Sequence, residues 1–158
     1  PLSAALSTSA FAPISTFMHS VCPYCAATNI GVHFFDMLHF IFGDLQLNKV
    51  HLNDHNKASG FLEYKNARVR WYLSIDKNDI PNSEMQKGKR TFRSITVNGE
   101  EIEFSVGFEK LHTQSYKEIL SGNGYGLIEN ITAIKTVSYI RSCKKMSRKY
   151  DFHPFLKK

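Results

Sequence analysis

Hydrophobic positions change their spacing twice along this chain. Between residues 30 and 42 the apolar residues Ile30, Phe34, Met37, Leu38, Ile41 and Phe42 recur at helical intervals, and Gly43 is a natural stop. This predicts a helix with Asn29 and His33 one turn apart near its start, on one face. From Leu45 the spacing becomes that of strands. Leu45, Leu47, Val50 and Leu52 mark one extended stretch, and Ala58 to Tyr64 and Ala67 to Ser74 predict two more around a Lys65-Asn66 hairpin turn. In the last of these, Val69, Trp71, Leu73 and Ile75 alternate with Arg68, Arg70, Tyr72 and Ser74, so one face is apolar and the other carries charge and hydroxyls. After a charged connection, Phe92, Ile95 and Val97 enter an Asn98-Gly99 turn, and Ile102 and Phe104 leave it. Helical spacing returns with Leu111, Tyr116, Ile119 and Leu120. It resumes beyond a glycine-punctuated loop, Ser121 to Gly126, with Leu127, Ile131, Ile134, Val137, Tyr139 and Ile140, a stripe that reads as core. That loop follows a helix rather than a strand, so it reads as a helix-to-helix connection and not as a phosphate cradle. The expected fold is α+β: a mainly antiparallel open sheet with helices packed on one face.

A chain of 158 residues suits one domain with one sizeable core. The net charge of +6 invites nucleic acid or an anionic membrane as partner, but its position weakens both ideas. From Arg141 onward, Arg141, Lys144, Lys145, Arg148, Lys149, Lys157 and Lys158 face only Asp151, which accounts for the whole excess. A basic terminus of this kind reads as a solvated tail, and no module with base-stacking aromatics accompanies it. The most apolar run, Phe34 to Phe42, is short and holds Asp36 and His39, so no membrane span is expected. Without a positively charged leader the expected location is the cytoplasm. Pro1 to Val21 is rich in Ser and Ala and predicts no defined structure; with no initiator Met and no family pattern, a fragment or a poorly defined lead-in is expected. The expected organisation is an undefined lead-in at 1–25, a domain at 26–142 and a basic tail at 143–158.

Cys22-Pro23-Tyr24-Cys25 competes for the central role. It resembles the glutaredoxin active site, in which a Cys at a helix N-terminus is stabilised as a thiolate. The later segments of that pattern, a Thr-Val-Pro-like stretch and a Gly-Gly, are absent, and Pro81 lies in a turn sequence. A zinc site has less behind it, with only Cys143 and scattered histidines to complete the ligands, so no metal is expected.

The segment Ala27-Thr28-Asn29-Ile30-Gly31-Val32-His33-Phe34-Phe35-Asp36-Met37-Leu38 resembles the first helix of the C-terminal domain in the Gfo/Idh/MocA oxidoreductases. It is most similar to the members that oxidise UDP-N-acetylglucosamine or UDP-N-acetylglucosaminuronate at the 3-hydroxyl. Gly60 to Tyr64 with Ala67 to Trp71, Lys89 to Ile102, and Leu111 to Thr113 with Tyr116 to Gly126 carry the same likeness, which covers roughly 26–142. The resemblance implies an NAD-dependent dehydrogenase of surface-polysaccharide biosynthesis, with a UDP-N-acetyl sugar or uronate as partner and a homo-oligomer built through the sheet face. It implies that His33 takes the proton from the sugar hydroxyl, a role suited to imidazole because that group titrates near working pH. Asn29 would orient His33 or hold substrate.

Two departures qualify the likeness. Relatives commonly carry Asp at the position of Asn29, and an amide accepts no proton, so a relay there would end at His33. The family binds NAD on an N-terminal Rossmann domain with a Gly-rich turn and a Glu-Lys-Pro segment; neither occurs here. The chain therefore reads as a substrate and oligomerisation half, inactive without its Rossmann domain. Arg68, Arg70, Lys89, Arg90 and Arg93 are anion-binding candidates, with Arg90 and Arg93 first, and His112 and Tyr116 are further substrate contacts. A glutaredoxin-like redox protein using Cys22 and Cys25, or a noncatalytic interaction domain, are the alternatives.

Overall fold

A computed structural model describes residues 11–17, 28, 31–105, 110–124, 126–144 and 151–157. Strand β1 (Phe11–Phe17) is followed by helix α1 (Gly31–Phe42), then by β2 (Leu45–Asn53), β3 (Lys57–Tyr64) and β4 (Arg68–Ser74). A short helix α2 (Asn82–Gln86) leads to the hairpin of β5 (Arg93–Val97) and β6 (Glu100–Glu103), and α3 (Leu111–Leu120) and α4 (Leu127–Ser142) close the order. The strands form one six-stranded sheet in the order β2-β3-β4-β1-β5-β6. Every pairing is antiparallel except β1 with β4, which is parallel. The α+β expectation of a mainly antiparallel open sheet holds.

Both hairpins follow from local chemistry. Tyr64 N–H bonds the Ala67 carbonyl at 2.8 Å across Lys65-Asn66. Asn98 and Gly99 take φ of 53° and 90°, the pair of positive values that a tight primed turn demands and that Asn and Gly tolerate best. Gly43, with φ of 80°, ends α1 by donating its N–H to the His39 carbonyl at 2.9 Å.

The core lies between one face of the sheet and helices α1 and α4. Phe34, Phe35 and Leu38 descend from α1 onto Val69, Trp71 and Leu73 of β4, and the Phe35 and Trp71 rings meet edge to face at 5.3 Å. Val137 and Ile140 of α4 join them. The two helices are also joined by a polar contact: the Thr136 hydroxyl donates to the Thr132 carbonyl and accepts from His39 Nε2 at 3.1 Å. Gly60 fits β3 against this core only because it lacks a side chain. A Cβ there would collide with the Lys49 carbonyl oxygen and stand 2.7 Å from the Trp71 ring.

Three expectations are corrected. Residues 11–17, left without structure in the lead-in, form β1 in the interior of the sheet, where Pro13 pairs with Arg70 and Ile14 lies between Trp71 and Ile95. Proline argues against an interior strand when the sequence is read alone; here the neighbours β4 and β5 supply both edges. The apolar stripe of α4 is core only at its C-terminal end: Val137 and Ile140 are buried, whereas Leu127, Ile131 and Ile134 are exposed. The tail is not wholly solvated, since residues 151–157 pack on the sheet face opposite the helices. Asp151 bonds Lys49 at 2.7 Å, and the His153 ring stacks on Tyr72 at 5.5 Å.

Candidate active site on the first helix

The face of α1 that buries Phe34, Phe35 and Leu38 fixes where the other side chains go. His33 belongs to the first turn and emerges on the exposed side, with the half-buried Asp36 and Met37 in the next turn and the exposed Phe40 beyond. Among the described residues His33 has no hydrogen bond or ion pair, and its backbone is held in place by a packed helix. His39, in contrast, is engaged with Thr136 and the Tyr64 ring, and burial lowers its pKa although Asp36 opposes this. One helix thus carries one histidine serving the fold and one facing outward. Asn29, Cys22 and Cys25 lie outside the described residues.

The other expected site residues are spread over separate elements. Arg90 is exposed in the loop before β5; Arg93, at the start of β5, is partly buried, which lowers its pKa. His112 and Tyr116 stand one turn apart on α3, a helix that buries none of its side chains. Among the described residues no hydrogen bond or ion pair joins His33, Arg90, His112 and Tyr116 to one another. Two of the further basic candidates are already engaged: Arg68 pairs with Glu63 at 3.0 Å, and Lys89 bridges Glu84 at 2.6 Å and Glu103 at 2.7 Å.

Polar networks that the sequence reading did not find occupy the far face of the sheet. The Asp79 carboxylate accepts from the Tyr72 hydroxyl at 2.8 Å, the Ser74 hydroxyl at 2.6 Å and Lys57 Nζ at 3.0 Å. Burial, and then the adjacent Asp79 charge, raise the Tyr72 pKa, so the phenol stays protonated as a donor. Nearby, Asp151 faces Lys49 and His51; burial pushes its carboxyl up, but these two partners prevail and hold it below the ordinary value. His153 is buried, and burial with the neighbouring Arg70 charge lowers its pKa to about 3. The alternation of Arg70, Tyr72 and Ser74 announced a polar face, but Asp79, Asp151 and His153 reach it from loops whose paths no periodicity records.

No protein-family model matches the chain. Its structure superposes on the WlbA (WbpB) dehydrogenase from Thermus thermophilus in complex with NAD and alpha-ketoglutarate with a TM-score of 0.85, at 37% sequence identity, over 94% of this chain and 52% of that one. The same dehydrogenase in complex with NAD and UDP-GlcNAcA gives a TM-score of 0.84 with the same identity and coverage. A dehydrogenase (MviM) from Clostridium difficile is also similar, at 15% identity and a TM-score of 0.48. The chain spans about half the length of the WlbA dehydrogenase, 52% of it. No helix among the described residues is long and apolar enough to cross a membrane.

Proposed function

This chain belongs to the Gfo/Idh/MocA oxidoreductases by its fold and its sequence, and we propose that it is the substrate-binding half of a UDP-N-acetyl-hexose or hexuronate 3-dehydrogenase. The observation that carries the reading is the 37% identity, over 94% of the chain, to a dehydrogenase seen with NAD and UDP-GlcNAcA. The geometry adds a base in a suitable position. His33 projects from the first turn of a helix anchored by Phe35 and Leu38, and it has no partner among the described residues to compete for its imidazole. In this reading His33 removes the proton of the sugar 3-hydroxyl, Asn29 orients it or holds the substrate, and Arg90, Arg93, His112 and Tyr116 contact the sugar nucleotide.

NAD does not fit the residues in hand. The sequence has no G-x-G-x-x-G turn between strand and helix, and the only parallel pair among the described strands, β1 with β4, is not joined by a glycine-rich turn that opens a helix. The hydride acceptor would be held by a further dinucleotide-binding domain, and turnover awaits it. A homo-oligomer through the far sheet face, a cytoplasmic location and a place in surface-polysaccharide synthesis complete the proposal.

Isothermal titration of the chain with UDP-N-acetylglucosaminuronate and with UDP-N-acetylglucosamine, with and without NAD, tests this function. Saturable binding of a sugar nucleotide, weakened about threefold to tenfold in His33→Ala, is the expected result, in line with the loss of one hydrogen bond. No heat at millimolar sugar nucleotide overturns the substrate-half assignment. A noncatalytic interaction role draws on one separate observation, the exposed Leu120, Leu127 and Ile128 of α3 and α4. A stable protein complex formed without any sugar-nucleotide binding would favour that role.

A further inference from the structure

A groove of about 450 Å³ runs between the outer strand β2 and helix α4, on the helix-covered side of the sheet. It lies opposite the face proposed for contact between copies, and no residue of α1, which carries His33, lines it. Strand alternation brings Asn48 to it. Val50 belongs to the core under α1 and α4, and the register of β2 with β3 is regular from Asn48 to Val50. Asn48 therefore turns to the same side, while Lys49 between them points away to Asp151. The helix wall is built from Thr132, Lys135, Thr136 and Tyr139, which recur at intervals of three and four and so share one flank of α4.

Asn48 holds the unmet polar demand of this groove. Both its amide atoms, Nδ2 and Oδ1, are buried and have no hydrogen-bond partner among the described residues. Leaving a donor and an acceptor unpaired is costly, and a ligand that pairs both recovers the loss. Thr136 does not meet the demand, because its hydroxyl is already shared between the Thr132 carbonyl and His39. Around the amide, Leu45, Leu47 and the Tyr139 ring provide apolar wall, and Leu47 and Tyr139 are 37% and 41% exposed.

Charge does not choose the ligand here. Lys135 is the only charged lining residue, and the exposed Asp44 directly precedes Leu45, so neither sign dominates. Hydrogen bonding and shape choose instead. A carboxylate offers acceptors only and would leave Oδ1 unpaired. A trans peptide unit points its N–H and C=O in opposite directions, so one Asn amide cannot pair with both. A sugar carries hydroxyls around its whole rim, and most would lose water against Leu45, Leu47 and Tyr139. A flat heterocycle with apolar faces and one edge that sets a donor beside an acceptor meets both demands, and this is the arrangement through which Asn pairs with adenine.

We propose that this groove is a second small-molecule site, distinct from that of His33, which takes a heterocycle of the nucleobase class. Asn48 Oδ1 accepts the exocyclic amino N–H, Asn48 Nδ2 donates to the adjacent ring nitrogen, and Tyr139 supplies the surface on which the ring stacks. A volume of this size lies within the range of pockets that hold small ligands, with room for one nucleoside.

The test is titration of the isotopically labelled full chain with three probes: adenosine; purine riboside, which lacks the exocyclic amine; and D-ribose, which lacks the base. Adenosine should give saturable shifts in the backbone amides at 45–48 and 132–139 and in the side-chain amide pair of Asn48. Purine riboside should bind about threefold to tenfold more weakly for want of one hydrogen bond, and ribose should leave the groove unmoved. Asn48→Asp replaces the donor by an acceptor and should weaken adenosine about tenfold. Tyr139→Ala, at a half-exposed position, should weaken both nucleosides about tenfold through lost stacking, and it keeps the test decisive should Asn48→Asp fail to fold. His33→Ala should change neither nucleoside. Absence of saturable shifts at about 10 mM adenosine overturns the proposal. So do equal shifts with ribose, binding that Asn48→Asp and Tyr139→Ala leave unchanged, and binding that His33→Ala removes. Shifts that follow protein concentration in place of ligand also overturn it, and would assign the edge of β2 to a contact between two copies.

Discussion

The two faces of β4 are built from alternate residues of one seven-residue strand, yet they are held by opposite chemistry. Val69, Trp71 and Leu73 pack in an apolar cluster with residues of α1, α4 and the neighbouring strands, and their contribution scales with the area they remove from water. Tyr72 and Ser74, on the other face, are equally buried but serve as donors to Asp79. There the net gain from each bond is small, while the penalty for leaving a donor unpaired is large. The dry face therefore tolerates loss in proportion to volume, and the polar face tolerates change only when partners change together.

The largest effect should come from Trp71→Ala, which empties the centre of the dry face and should cost about 3–5 kcal/mol, read as a lowered denaturation midpoint with the denaturant slope unchanged. A loss below about 1 kcal/mol would show that the faces are not separately organised. Next, Asp79→Ala strands the Tyr72 and Ser74 donors and should cost about 2–3 kcal/mol. The double variant Asp79→Ala with Tyr72→Phe should recover part of that loss, and strict additivity of the two changes would refute the network.

Acid should separate the faces without mutation. His153 and Asp151 both have pKa values below their ordinary ones, so the stability they lend to the docked tail is present at neutral pH and lost on acidification. The loss begins as pH falls through the ordinary histidine value of 6.5 and continues towards the His153 value of about 3; Asp151 adds to it below the ordinary carboxylate value of 3.8. The ring resonances of Tyr72, stacked on His153, should shift as the tail leaves, while the Trp71 resonances stay in place until the whole fold melts. In His153→Phe the Tyr72 shift between pH 6.5 and 4.5 should vanish, leaving what His39, whose pKa burial also lowers, contributes on the helix side of the sheet; persistence of the Tyr72 shift would assign it to other groups.

The smallest effect is expected at the exposed apolar side chains of α3 and α4. Leu120→Ser and Ile128→Ser, at 87% and 83% exposure, should alter stability by no more than about 0.5 kcal/mol. They should reduce self-association in sedimentation runs if that surface is sticky; a large loss of stability would mean that it is packed within the chain after all.

Much of this architecture could be read from local pattern. The stop at Gly43, the turns at Lys65-Asn66 and Asn98-Gly99, and the alternation through Val69, Trp71 and Leu73 depend on residues close in sequence, so spacing alone announced α1, β2 to β6 and both later helices. His33 was found on its helix by resemblance, and its exposure follows from the side of α1 that Phe35 and Leu38 bury. Where the pattern failed, contacts came from far along the chain. The periodicity of α4 is continuous from Leu127 to Ile140, but α1 and the sheet cover only its last turns, so identical side-chain chemistry ends up buried at one end and exposed at the other.

By itself, then, the sequence determined the elements, their turns and the dry face of β4, because each follows from short-range sterics and hydrophobic periods. Only the tertiary structure decided that residues 11–17 enter the sheet between β4 and β5, that Asp79 lies beneath Tyr72, and that Asp151 and His153 secure the tail. Those choices join groups as far apart as Lys49 and Asp151, 102 positions along the chain, and no local propensity encodes the partner of a charge at that separation.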